Sequence, residues 1–560
     1  MRAIEAGLRF LIKQGVKYIF GIPAGSINAL YDCLYDLPEL QAVVAKHETS
    51  SGYMAAAYTR ITGIPAVCVG SSGPGATNLV TPAASAWKEK LPVIFLTGSV
   101  PSTKLGKGGA QELGADPIFA PVTKLSRMVT NAEELPAAIA EAYWTAISGV
   151  PGPVHLSIPI DLQMADIGEM VLPQLPLIQE QMEPVNKVLI NAALQAVLQV
   201  GERGAILLGH GAKSAPAEVL QFAERAGWMV ATTPRGKGAF PENHPQSLGV
   251  YGLAGNDKAV EFLNSDGHKL LLVLGSSLGE LATCNWEARL AAGKQLIHVD
   301  YDERELGRCY EADIALHGEI ADVLRELSAG LAHAGSGLTA ERKMLLEQLH
   351  LARLEAAADA SAMETWNTRT AIRLLGANAP EQTRFYIDIG EFMTYSIQNL
   401  LIREQQQFDI NINFGGMGSG IAGSLGAKLA EPDRPVLCIT GDGCFFMHGL
   451  EVMTAKEYGL PIVFVVINNA RLGMVYHGHM LQYERCLSDF SQQRVSIAAV
   501  AQSLGIRHVQ VESTEQLQAE HVQQWFAEGK SGPIVVEIIV DGNEIPPMGE
   551  RVKFLQGATY

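Results

Sequence analysis

The chain reads as an α/β protein built from three consecutive doubly wound parallel-sheet domains, and three observations predict this. Short apolar runs alternate with helical stretches along most of the 560 residues. That length exceeds what one core supports, since chains beyond about 250–300 residues divide into domains. Glycine numbers 56 without any short repeat, as many tight strand-to-helix turns require. Strands joined by helices form parallel sheets buried on both faces, which accounts for apolar runs with little polar alternation.

The first unit, 1–165, alternates strand and helix. Tyr18-Ile19-Phe20 enters the turn Gly21 to Ser26, and Val43-Val44-Ala45 ends at His47-Glu48. Ala66 to Val69 enters Ser71-Ser72-Gly73-Pro74-Gly75-Ala76-Thr77-Asn78, a glycine turn opening a helix, and Val93 to Leu96 follows. A proline-rich stretch over 166–185 reads as a linker. The second unit, 186–330, carries runs at Ala205–Leu208, Leu271–Leu274 and Leu296–Val299. Its Gly209-His210-Gly211-Ala212 lacks the full glycine fingerprint of a dinucleotide fold. Residues 330–365 are charged and alanine-rich, and predict a connecting helical segment.

The third unit, 366–545, holds the most informative stretch. Phe385-Tyr386-Ile387 enters Asp388-Ile389-Gly390-Glu391, and Gly415 to Gly420 opens a helix. Pro435 to Thr440 is an apolar run stopped by Gly441-Asp442-Gly443. Residues 444–458 predict a helix ending at Gly459, and Ile462 to Ile467 is a buried run ending on Asn468-Asn469. Parallel strands joined by a helix have their C-terminal ends on one edge. Asp442 and Asn469 are therefore expected together, where open α/β sheets bind ligands. A carboxylate, an amide oxygen and free carbonyls suit magnesium carrying a diphosphate.

Composition narrows the partners. Hydrophobic residues make up 48% and charged residues 18%, so most of the chain is buried. A net charge of −17 disfavours nucleic acid and anionic membranes. Seven scattered cysteines without a Cys-x-x-Cys pair predict reduced thiols and a cytoplasmic location. Met1-Arg2-Ala3-Ile4-Glu5 opens directly into an amphipathic helix, so no signal peptide is expected, and no apolar run reaches membrane-span length.

Gly441-Asp442-Gly443, then 24 residues, then Asn468-Asn469 is similar to the thiamine-diphosphate motif. Lys46-His47-Glu48, Ser72 to Asn78, Gly152-Pro153-Val154-His155-Leu156, Lys237 to Glu242, His298 to Asp302 and Leu472-Gly473-Met474-Val475 extend the match. Over nearly its whole length the chain resembles the acetolactate synthase branch of the thiamine-diphosphate enzymes. The resemblance implies that Asp442, Asn469 and the carbonyl of Arg471 hold Mg2+. It implies that Pro74, Asn78, Gly390, Met417, Gly441, Gly443, Cys444 and Met474 surround thiamine diphosphate, with Met417 bending it. Glu48, from a neighbouring subunit, would activate the aminopyrimidine ring, and Gln111 and Lys124 would act at the reacting carbons. A homodimer or homotetramer follows, with active sites between subunits. FAD in the middle domain is an open expectation, since related synthases hold it there in a non-redox role.

The activity implied is decarboxylation of a 2-oxo acid, pyruvate first, and transfer of the acyl anion equivalent to a carbonyl acceptor. Gly25-Ser26 in the first loop and the lack of any His-His pair speak against a plain decarboxylase. A non-ligating decarboxylase that releases an aldehyde, an inactive structural or regulatory homologue, and a nucleotide-dependent oxidoreductase remain the alternatives. Three departures mark the acceptor side. Ala110, Ser277 and Gly478 stand where the family has phenylalanine, arginine and tryptophan, which predicts a wider pocket without a carboxylate clamp. Glu391-Phe392 replaces the family's Gln-His, and a carboxylate there has no account from sequence. His477 and His479 are read as loop histidines contacting solvent or backbone, with proton donation as the rival role.

Overall fold

Each third of the chain folds around one six-stranded sheet in which every pairing is parallel. The computed structural model describes residues 1–168, 172–174, 185–335, 365–528, 532–549 and 551–552, with scattered positions between 340 and 351. Most of the linker expected over 166–185 and of the helical segment expected over 330–365 lies outside the described residues.

The first sheet comprises β1 (Tyr18–Gly21), β2 (Gln41–Val44), β3 (Val67–Gly70), β4 (Ile94–Ser99), β5 (Ser126–Met128) and β6 (Val154–Pro159). The second comprises β7 (Gly204–Leu208), β8 (Met229–Thr232), β9 (Ser247–Val250), β10 (Leu270–Leu274), β11 (Gln295–Asp300) and β12 (Ile314–His317). The third comprises β13 (Arg384–Ile387), β14 (Gln407–Ile410), β15 (Val436–Gly441), β16 (Ile462–Asn468), β17 (Arg507–Val511) and β18 (Ile534–Ile539). The outer two sheets share one order, β2-β1-β3-β4-β6-β5 and β14-β13-β15-β16-β18-β17. The middle sheet runs β12-β11-β10-β7-β8-β9, the doubly wound order of dinucleotide-binding folds.

The single helix expected over 444–458 is two. One starts on Asp442 itself (Asp442–His448) and the next spans Glu451–Glu457. The break falls at Gly449, whose N–H bonds back to the Phe445 carbonyl at 2.6 Å. A Cβ there would meet that same oxygen at 2.3 Å, so only glycine fits. Gly459, at φ +61°, ends the pair as expected.

The first and third sheets are tied by the helix Glu48–Thr62, which packs along Ser419–Ala430. The approach is close because Gly426 faces the Met54 carbonyl, where a Cβ would lie 2.1 Å away. One apolar cluster, including Tyr53, Met54, Ile421, Leu425 and Phe445, is shared across this contact. All three units meet at a buried ion network. Glu89, 6% exposed, pairs with Arg60 at 3.0 Å and with Arg235, while Arg60 reaches Tyr386 Oη at 3.2 Å.

Candidate active site

In the third sheet the chain leaves β13 in one direction and β15 in the other, so the crevice at their C-terminal ends is the ligand edge. Three loops converge there, and Asp388 pins them together. Its Oδ1 accepts the N–H groups of Ile389 and Gly418, both at 2.8 Å, and its Oδ2 accepts the Thr440 hydroxyl at 2.9 Å. Asp388 is fully buried. Gly390 and Gly441 are both required because the Phe392 ring fills the space a Cβ would take, at 2.4 and 2.7 Å.

Asp442 and Asn469 emerge side by side from β15 and β16, which pair in parallel through Gly441 and Ile467. They are 4% and 7% exposed. Asp442 Oδ1 accepts the Gly443 N–H at 2.9 Å, and burial pushes its carboxyl up to about 6. Asn469 is held at both ends of its amide. Its Oδ1 accepts the Arg471 N–H at 3.1 Å and its Nδ2 donates to Glu391 Oε1. That bond gives Glu391 the account missing from sequence: it orients Asn469. Burial pushes the Glu391 carboxyl up to about 7, and the nearby Asp442 carboxylate adds to the rise.

The donor set fits a hard divalent cation. Glu391 Oε2 is buried without a hydrogen-bond partner, beside an aspartate carboxylate and an amide oxygen. Among the described residues no group of three or more His, Cys, Asp or Glu forms an all-protein metal cage. This suits a cation that keeps few protein ligands and takes the rest from phosphate. Met417 lies over the same crevice, its Cε 3.4 Å from where a Cβ on Gly443 would stand. Cys444 Sγ donates to the Ile389 carbonyl at 3.0 Å, and Met417 and Met474 both pack on the core beneath.

A second set gathers on the first domain. Glu48 begins its helix half-buried, and Asn78 Nδ2 donates to its Oε2 at 2.9 Å. Pro74 opens the short helix that ends at Asn78. Gln111 joins through its backbone: its carbonyl accepts the Ser72 hydroxyl at 2.6 Å, while the residue itself is exposed at φ +60°. Lys124 stands apart from both sets. Its Nζ donates to the carbonyls of Ser148 at 2.6 Å and Val150 at 2.9 Å, on the wall of a large cleft.

That cleft, about 1240 Å³, runs between all three units. Ile389, Met393, Ile412 and Met474 wall its cofactor side, and Ser277 lies on it. Of the other two departures, Ala110 is exposed and Gly478 faces Met548, 3.6 Å from an added Cβ. His477 and His479 lie on the helix Gly473–Tyr483 and not in a loop. His477 Nε2 meets the Gly542 carbonyl at 3.2 Å and Glu391 Oε2 at 3.7 Å, and burial lowers its pKa. His479 packs edge-on against Tyr483 and Phe490.

Two residues that sequence reasoning passed over tie the sets together. Glu451, 1% exposed, accepts the N–H groups of Lys46 at 3.0 Å and His47 at 3.1 Å, just before Glu48. His448 Nδ1 shares a hydrogen bond with Ser50 at 3.0 Å. Both partners lie about 400 positions away in the chain, at separations of 405, 404 and 398. No local pattern could reveal them.

The middle sheet offers less. At its own switch point the loop after β7 packs directly on the loop after β10. The Gly209 and Gly211 N–H groups are committed to the Leu274 and Gly275 carbonyls at 2.8 and 3.0 Å. Those groups are not open to a dinucleotide diphosphate, so this loop does not fit FAD.

Comparison with known proteins agrees with this division. Models of the thiamine pyrophosphate enzymes match in three parts: the N-terminal TPP-binding domain over 1–118, the central domain over 190–327 and the C-terminal TPP-binding domain over 388–538. The acetolactate synthase isozyme 1 large subunit of Escherichia coli is 31% identical over 552 residues, covering 96% of this chain and 95% of that protein. A probable acetolactate synthase large subunit of Methanocaldococcus jannaschii is 31% identical over 99% of this chain and 95% of its own length. The acetolactate synthase large subunit of Corynebacterium glutamicum is 32% identical over 96% and 87%. With three matching domains and full-length similarity of this kind, the chain belongs to the thiamine-diphosphate enzymes, in the acetolactate synthase group.

Proposed function

We propose that the protein is a carboligase that uses thiamine diphosphate and Mg2+ to decarboxylate a 2-oxo acid, pyruvate first, and join the acyl unit to a carbonyl acceptor. The observation that carries this reading is the Asp442–Asn469 crevice opening beside a cleft with room for a second substrate. When bound, thiamine diphosphate supplies the acyl-anion chemistry. Asp442 Oδ and Asn469 Oδ1, with the Arg471 carbonyl, would hold the cation that anchors the diphosphate. Glu391 keeps the Asn469 amide oriented through its hydrogen bond, and Met417 would sit under the cofactor and set its bend. The apolar wall of Ile389, Met393 and Met474 excludes water where carboxylate charge disperses.

Glu48 would exchange a proton with the cofactor ring, while Asn78 Nδ2 fixes the carboxylate by donating to Oε2. Glu48, Pro74, Asn78 and Gln111 would serve the C-terminal domain of a second copy, and Lys124 would face the reacting carbons. Two features support a site of two chains. Gln111 is exposed in the single chain. Apolar side chains just beyond Asp442 are also exposed, with Phe446 at 49%, Met447 at 58% and Leu450 at 58%. We place the domains at 1–165, 186–330 and 366–545, and the protein in the cytoplasm, where its seven cysteines, none of them in a disulfide, stay reduced. No described helix is long and apolar enough to cross a membrane.

The test is product analysis after incubation with labelled pyruvate, thiamine diphosphate and Mg2+. A ketol such as acetolactate is the expected product. Acetaldehyde as the sole product, with any acceptor supplied, overturns carboligation in favour of simple decarboxylation.

A further inference from the structure

The charge lining the large cleft is not explained by a small 2-oxo acid. At about 1240 Å³, the cleft exceeds the roughly 300–1,000 Å³ typical of small-molecule sites. Six cationic side chains line it against two carboxylates, Glu280 and Glu305. This excess stands out in a chain whose net charge is −17.

Three of the cations come from the first and second units, Lys90 and then Arg304 and Arg308, whereas Ile389, Met393 and Met474 come from the third. Lys90 Nζ lies 2.6 Å from Asp302 Oδ2 and 2.9 Å from Glu305 Oε1. Arg304 Nε lies 2.9 Å from Asp302 Oδ1, and Arg308 Nη2 lies 2.6 Å from Glu305 Oε2. Three cations thus share two carboxylates and keep one positive charge. The carboxylates stand behind, with the Asp302 and Glu305 side chains 2% and 14% exposed. The Arg304 and Arg308 side chains, 71% and 53% exposed, stand in front. Planar guanidinium groups held from behind by carboxylates present their remaining N–H donors to an oxyanion. Ser277, on the same cleft, stands where the family carries the arginine expected to clamp the acceptor's carboxylate. Lys90, Arg304 and Arg308 supply positive charge elsewhere on the same cleft.

We infer that the acceptor is an aldehyde or ketone carrying a phosphate monoester remote from its carbonyl group, with the phosphate bound by Arg304, Arg308 and Lys90. The inference rests on the carboligase reading above. The step balances without an oxidant. The donor loses CO2, its acyl carbon bonds to the acceptor's carbonyl carbon, and the carbonyl π pair moves to oxygen, which takes one proton. The phosphate ester is untouched.

The experiment uses the protein loaded with thiamine diphosphate and Mg2+, labelled pyruvate as donor, and glyceraldehyde 3-phosphate against glyceraldehyde as acceptors. The expected kcat/KM is at least about 30-fold higher for the phosphorylated acceptor, as charge-assisted recognition of a dianion gives. The double variant Arg304→Ala, Arg308→Ala should cut that preference about tenfold or more through KM, and the double lysine variant should restore part of it. Both side chains are more than half exposed, so the fold should tolerate either change. Calorimetric titration with inorganic phosphate reads the site without catalysis, and the alanine variant should bind about tenfold more weakly. Ketol formation without phosphate preference, or phosphate binding that ignores both arginines, overturns the acceptor assignment alone. Acetaldehyde as the sole product overturns it through the reading on which it rests. A dinucleotide retained in the cleft of the purified protein overturns it as well.

Discussion

The first and third domains have one strand order and present the same sheet edge, yet they furnish that edge differently. In the third domain the polar groups are buried and held inside the chain: Asp388 takes three hydrogen bonds and Asn469 is held at both ends, with Glu391 Oε2 left open beside them. In the first domain Glu48 is half-buried and Gln111 is exposed. A group that anchors must be rigid and desolvated before its ligand arrives. A group that shuttles a proton must face what a partner brings. On the function proposed above, the same topology would split into a holding half and an activating half.

The sharpest way to break that division is to remove one residue from each half. Asp442→Ala should weaken thiamine-diphosphate retention about 1,000-fold or more, read by calorimetry with Mg2+ present, and activity should go with it. Glu48→Gln should lower kcat roughly 100- to 10,000-fold while cofactor affinity stays close to normal. If Glu48→Gln loses the cofactor as Asp442→Ala does, the division collapses. Mixing the two variants sharpens it further. If each site spans two chains, random pairing regenerates intact sites and should return up to about a quarter of normal activity. No recovery would place both halves in one chain.

The contact that carries the two halves comes next in size. Gly426→Ala would drive a Cβ to 2.1 Å from the Met54 carbonyl, backbone against methyl, where no flexible side chain can give way. Separation of the two helices should cost about 3 kcal/mol, seen as a lowered thermal midpoint. Gly25→Ala is the control, since nothing lies within 4 Å of an added Cβ there, and its midpoint should not move.

Much of this was legible in the chain itself. The buried run Ile462–Ile467 announced its strand because every position is core. Gly441-Asp442-Gly443 and Asn468-Asn469 announced the crevice because parallel pairing fixes where strand ends meet. The edge strands of the third sheet were not legible. Arg507–Val511 is buried on one side only, and Gln407–Ile410 follows a polar stretch that masks its start. Glu391 was visible as a residue but not as a partner, because Asn469 lies 78 positions away. The break at Gly449 was missed because glycine inside a helical run reads as a mere weak point unless the Phe445 carbonyl behind it is seen.

The two halves should also respond to pH in opposite senses. His155 of β6 is fully buried, stacked on Phe119 at 4.0 Å, with its ring nitrogens on Thr97 at 2.8 Å and Ser126 at 2.9 Å. Burial lowers its pKa to about 3, so the folded first domain holds it neutral. Its contribution is whole above the unfolded value near 6.5 and is lost as pH falls toward 3. By pH 5 the loss should reach about 2 kcal/mol. Glu391 is shifted the other way, up to about 7. Its contribution is whole below the unfolded value near 4.5 and is lost as pH rises through 7, in protein free of metal. Denaturant titration of the metal-free protein across pH 5 to 7.5 separates the two. His155→Gln should flatten the acid side and Glu391→Gln the alkaline side. If His155→Gln leaves the acid side steep, or Glu391→Gln the alkaline side, the dependence on that side belongs to another group and the opposition of the two halves is lost.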